Sequence, residues 1–145
     1  MRNLIMLFGV TGALVIAVIG SNWAAIPSNV IKGWQDHAPE AVEITVLSVD
    51  KQPAIRPSND GSLTTAQITL TARVDVILRT ASNLVPGSVI VVHYGHTSYK
   101  GPLPPPGAGD TNILLDIGDR AVAYLKKTGE TTYEPAGAAG CLVKL

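Results

Sequence analysis

One cysteine in 145 residues, Cys141, excludes an internal disulfide, and without a second Cys there is no C-x-x-C for a redox pair, a zinc ribbon or a haem attachment. The domain must hold itself together by burial, and Cys141 reads as a small hydrophobe near the C-terminus. An excess of either charge is also lacking. Lys plus Arg and Asp plus Glu stand at 11 each, so no basic surplus points to nucleic acid. Aromatics are scarce, with one Phe and four Tyr, too few for a base-stacking platform. The spacings G-x-S-x-G, H-E-x-x-H and the P-loop do not occur, and Gly107-x-Gly109 opens no helix. The chain therefore reads as non-catalytic, without cofactor or metal.

What the chain does have is a long alternation. Ala66, Ile68, Leu70, Ala72, Val74, Val76 and Leu78 recur at every second position, with Gln67, Thr69, Thr71, Arg73 and Asp75 between them, which predicts a strand with one dry face. It runs through Asn83-Leu84-Val85-Pro86-Gly87-Ser88, a turn by its Pro and Gly, into the apolar run Val89 to Tyr94. Val42, Ile44, Val46 and Ser48 predict an earlier strand ending near Asp50, and Lys51 to Gly61 a loop. Further on, Ile113-Leu114-Leu115, Ala121 to Lys126, Thr131 to Glu134 and Cys141 to Leu145 predict short strands, with Pro135 to Gly140 small and flexible. Five or six strands, one of them long, predict a mainly β fold: a small Greek-key barrel or sandwich.

Three blocks, Ala72 to Arg79, Leu84 to Val91 and Gly118 to Leu125, resemble the netrin-like or tissue-inhibitor-of-metalloproteinase-like variety of OB-fold, in its long strand, its Pro-Gly turn and its Gly-opened hairpin ending in an aromatic. The resemblance implies an OB-like barrel. It does not bring over inhibition, because that family reaches a protease zinc through a free N-terminal cysteine held by disulfides, and the cysteine here is near the other end.

Residues 1–26 read as a signal anchor, 27–39 as a juxtamembrane linker with one helical turn, and 40–145 as the exported β domain. Leu4 to Gly20 carries no charge, and counting on to Ile26 gives length enough at about 1.5 Å per residue for a hydrocarbon core of about 30 Å. Arg2 stays cytoplasmic by the positive-inside rule, with Trp23 and Trp34 at the headgroups on the far side. Small residues are poorly placed for cleavage, the best site following Gly20, so a cleaved signal peptide is the alternative.

Two histidines, His93 and His96, could share a metal if Gly95 turned the chain, but in a continuous strand they face opposite sides. Asp110, Asp116 and Asp119 do not have calcium-loop spacing and read as turn residues. Gly95 to Asp110 reads as a polyproline-like excursion with Pro102, Pro104, Pro105 and Pro106. Its stiffness, together with Tyr94 and Tyr99 as anchors and His96 and Lys100 at the rim, makes Tyr94, His96, Tyr99, Lys100, Pro104 and Pro105 the expected surface for a protein partner. The functional expectation is an accessory or interaction protein of a membrane complex on its exported side, without nucleic acid. A soluble ligand-binding or inhibitor-like module released by cleavage is the alternative.

Overall fold

The computed structural model describes residues 26–52, 63–99 and 111–145. The expected anchor, with Arg2 and Trp23, lies outside the described residues, as do Lys100 and the prolines from Pro102 to Pro106. Among the described residues no helix is long and apolar enough to cross a membrane.

The elements are α1 (Ser28–His37), β1 (Glu40–Gln52), β2 (Leu63–Arg79), β3 (Val89–Tyr99), β4 (Arg120–Lys127), β5 (Thr132–Pro135) and β6 (Leu142–Lys144). The strands run in the order β1-β2-β3-β5-β4-β6, and β1 also pairs with β4, so five strands close a mixed, OB-like barrel with β6 appended on β4. All pairings are antiparallel except β3 with β5. Closure leaves the dry faces nowhere to point but inward, and Ile44, Ile68, Leu70, Val74, Ile90 and Leu125 are all at most 1% exposed. Ala66, Ala72, Ala121 and Ala123 fill the places where a narrow barrel has no room for a larger side chain.

The alternation holds along β2 as far as Val74 and then changes face. Ile77 packs against the core, while Val76 and Leu78 are 40% and 55% exposed. The cause is a register shift between Glu43/Val76 and Ile44/Val74, which inserts Asp75 as an extra residue and turns the following side chains over. Another shift, between Val46 and Ser48, does the same in β1. It expels Leu47, and Val49 rather than Ser48 packs against the core. Here β1 leaves β4: Val46 donates to Asp119 O at 2.9 Å and accepts from Gly118 N at 2.8 Å. The bulge bends the strand around the barrel's corner.

The Pro-Gly turn forms as expected. Ser88 N–H donates to Val85 O at 3.0 Å, with Gly87 at φ +91°, the left-handed position that glycine occupies without strain. Other expectations need correction. β3 continues to Tyr99, five residues past the expected end, because β2 pairs with it down to Leu63. Ile113 to Leu115 form no strand; Leu115 alone of them is buried, and the segment is fastened by side chains instead. Residues 28–37 form ten residues of helix rather than a single turn.

Candidate interaction surface

The distal half of β3 is where the expected partner residues meet the rest of the chain. Tyr94 faces the interior, not solvent. It is 6% exposed, its hydroxyl donates to Ile113 O at 3.0 Å, and burial pushes its phenol up to about 12. Its ring contributes to the core rather than to an outer surface. His96 is half-buried and donates from Nδ1 to Asn112 O at 2.9 Å, with Thr111 Oγ1 at 3.3 Å from the same nitrogen. That fixes the proton on Nδ1 in the neutral ring. Tyr99 ends β3, half-buried, in register with Leu63. His93, three residues before His96, is exposed, and its Nδ1 meets Thr69 Oγ1 at 3.1 Å. The two histidines thus take separate partners, and no group of three or more metal-ligating side chains occurs among the described residues.

The segment after the proline excursion covers the opening left where β3 and β5 part, and Asn112 holds it there. Its side chain is 3% exposed; Oδ1 accepts from Cys141 N at 2.8 Å and Nδ2 donates to Gly137 O at 3.0 Å. One amide thereby satisfies a donor and an acceptor of the β5–β6 connection, Ala136 to Cys141. Nothing in the sequence around Asn112 signals the bridge.

The small residues of that connection have a reason beyond flexibility. A Cβ at Gly137 would overlap the Trp34 indole, and one at Gly140 would overlap Ile31 Cγ2. Gln35 Nε2 donates to Gly140 O at 2.7 Å, while Arg79 donates to Ala38 O and Gln35 O, both at 2.7 Å. Ile31, Trp34 and Gln35 lie at helical i, i+3, i+4 spacing on one side of α1, and Lys32 with Asp36 forms an ion pair elsewhere on it. The run Ala136-Gly137-Ala138-Ala139-Gly140 is thus held between α1 on one side and Asn112 on the other. Trp34, expected at the headgroups, lies over Gly137 and, with Val30, Gly33, His37, Pro39 and Lys126, lines a groove of about 510 Å³. Cys141 is fully buried beneath, and burial pushes its thiol up.

Comparison with protein-family profiles, curated proteins and solved structures returns no match.

Proposed function

We propose that this chain is a non-catalytic, membrane-anchored accessory protein, a small subunit that stabilises a larger envelope membrane complex from its exported side by contact with a protein partner. The observation that supports this reading is the joint at α1. The helix starts two residues after Ile26, where the apolar stretch ends, and is fastened to the barrel by Trp34, Ile31, Gln35 and Arg79. A freely swinging domain needs a polar linker at that point. A helix packed on the barrel instead leaves little slack between the barrel and the proposed anchor, which suits lateral docking on a neighbour. Tyr99 and His96, with Lys100, Pro104 and Pro105 following, remain the proposed contact.

The rival, a soluble ligand-binding or inhibitor-like module released by cleavage, draws on the OB-like barrel and its netrin-like resemblance. That family's inhibitory route has no counterpart here, since Cys141 is buried. Mild-detergent purification from the native membrane separates the readings. The expected result is a membrane-fraction protein of full-length mass that co-purifies with other subunits, and a monodisperse free monomer in the soluble fraction would overturn it. Tyr99→Ala should weaken that association by more than about 1 kcal/mol while leaving the barrel's own melting nearly unchanged. A destabilised barrel with intact association would place the contact elsewhere.

A further inference from the structure

The five small residues Ala136 to Gly140 form a strap between β5 and β6, and two of its carbonyls are taken from opposite sides. Gly140 O accepts from Gln35 Nε2 of α1 at 2.7 Å, and Gly137 O accepts from Asn112 Nδ2 at 3.0 Å. The same two glycines seat the helix, with the Trp34 indole over Gly137 and Ile31 over Gly140. The strap offers only hydrogens and methyl groups to packing, so what holds it in place is the helix above and the amide beside it.

Beyond the strap the series continues through Asn112. Its buried side chain bonds Gly137 O and, through Oδ1, the Cys141 N–H at 2.8 Å. Its main-chain carbonyl accepts from His96 Nδ1 at 2.9 Å, and the next carbonyl, Ile113 O, accepts from the Tyr94 hydroxyl at 3.0 Å. A side chain drawn out of the strap takes that carbonyl with it. Helix α1 and His96 thus stand at the two ends of one run of direct contacts, Trp34 to Gly137 to Asn112 to His96, all within the described residues.

The far end of this run is chemically legible. While Asn112 O accepts from Nδ1, the neutral imidazole keeps its proton there and Nε2 is an acceptor. Without that carbonyl the proton is free to pass to Nε2, which becomes a donor. Thr111 Oγ1, at 3.3 Å from the same nitrogen, can donate as well as accept and does not hold the tautomer by itself.

We infer that the strap couples the seating of α1 to the tautomer of His96, so that a helix lifted from the barrel changes the hydrogen-bonding character of a residue on the proposed contact face. The strap, seated or lifted, is the two-state element that both ends bias, and the bias is reciprocal. The use of this coupling rests on the partner-contact reading above, and it gives the packed helix a regulatory role.

The test uses the full chain in detergent micelles. Ile31→Ala with Trp34→Ala takes the seat from α1 and alters no residue of the strap, nor Asn112 or His96. Ring-nitrogen NMR at about pH 8, above the ordinary histidine range, should show His96 as the Nδ1–H form in the parent chain and a shift towards Nε2–H in the variant. Cys141, the chain's single cysteine, should react with a maleimide roughly tenfold faster in that variant. In the reverse direction, Asn112→Ala in a Trp23→Phe background, where Trp34 is the single tryptophan, should move emission to the red. Amides of β2 should stay protected in every variant. An unchanged His96 ring or unchanged Cys141 labelling in the helix variant, unchanged Trp34 emission after Asn112→Ala, or β2 amides that open together with the strap would each sink the coupling. Co-purification from the membrane enters none of these measurements, so the two proposals fail separately.

Discussion

The β1–β2–β3 meander and the seam on the opposite side of the barrel are held by different physics. In the meander, three long strands pair along most of their length, and their inward side chains are apolar and closely packed. In the seam β3 and β5 share two rungs, and closure falls to Asn112, to a connection of small residues and to a helix seated on that connection. The meander distributes its stability over many interchangeable contacts. The seam concentrates it in a few that have no substitutes.

The sharpest way to break the comparison is in the meander. Leu70→Ala removes a fully buried side chain from the barrel's centre and should cost about 3 to 5 kcal/mol, with protection from amide exchange falling across all strands together. Asn112→Ala comes next. It strands the buried Cys141 N–H, at about 1 to 3 kcal/mol, and the half-buried Gly137 carbonyl, at about 1 kcal/mol, so about 2 to 4 kcal/mol in chemical denaturation. Its loss should be local, with Cys141 and β6 amides opening while β1–β2 amides stay protected. If Asn112→Ala opened the meander equally, the distinction between the two regions would be lost.

Gly137→Ala is smaller and more selective. The added methyl meets the indole of Trp34, so α1 must shift, at about 1 to 3 kcal/mol. Trp34 should become more exposed, with its fluorescence moving to the red, while the barrel's cooperative unfolding persists. Unchanged emission would mean that the helix is not seated where the structure places it.

These effects track how legible each region is in the sequence. Period-two alternation announces β1 to β3 because each buried residue reports on its own environment. The places where the β1–β2 register slips escaped it. Asp75 and Leu47 are bulge residues, and a bulge adds one residue to a strand without any mark that distinguishes it from a regular position. The seam escaped for a different reason. Gly137, Gly140 and Asn112 matter through partners between 25 and 109 positions away, and a small residue beneath a helix looks the same in sequence as a small residue in a free loop. Tyr94 shows how the candidate surface misled. It sits next to Gly95 and ahead of a proline-rich stretch, but its even position in β3 turns it inward with Ile90 and Val92. Its place beside the proline-rich stretch pointed to an exposed anchor, and parity decided the face.

The smallest effect concerns acid, and it too separates the regions. Asp119 accepts from Asp116 N–H at 2.8 Å and pairs with Lys144 at 2.9 Å, joining the turn before β4 to β6. The Asp116 amide, then Lys144, holds the Asp119 carboxyl below its ordinary value. On the meander, Thr45 first and Arg73 second do the same for Asp75 at the β2 bulge. A carboxyl depressed in the folded state binds its proton more readily when unfolded. Its stabilisation is therefore complete above the unfolded pKa of about 4 and is lost as pH falls through the lower folded value. Thermal unfolding between pH 6 and pH 2 should show this as a shallow decline. Asp119→Asn keeps an oxygen for the Asp116 amide but gives up the charge opposite Lys144, and it should flatten part of that decline and speed exchange in β6 while leaving β2 unchanged. Asp75→Asn should flatten the other part and speed exchange around the bulge instead. If Asp119→Asn leaves both the slope and the β6 exchange as they are, the ion pair does not fasten β6, and Asn112 and the β4 ladder hold that strand without help from charge.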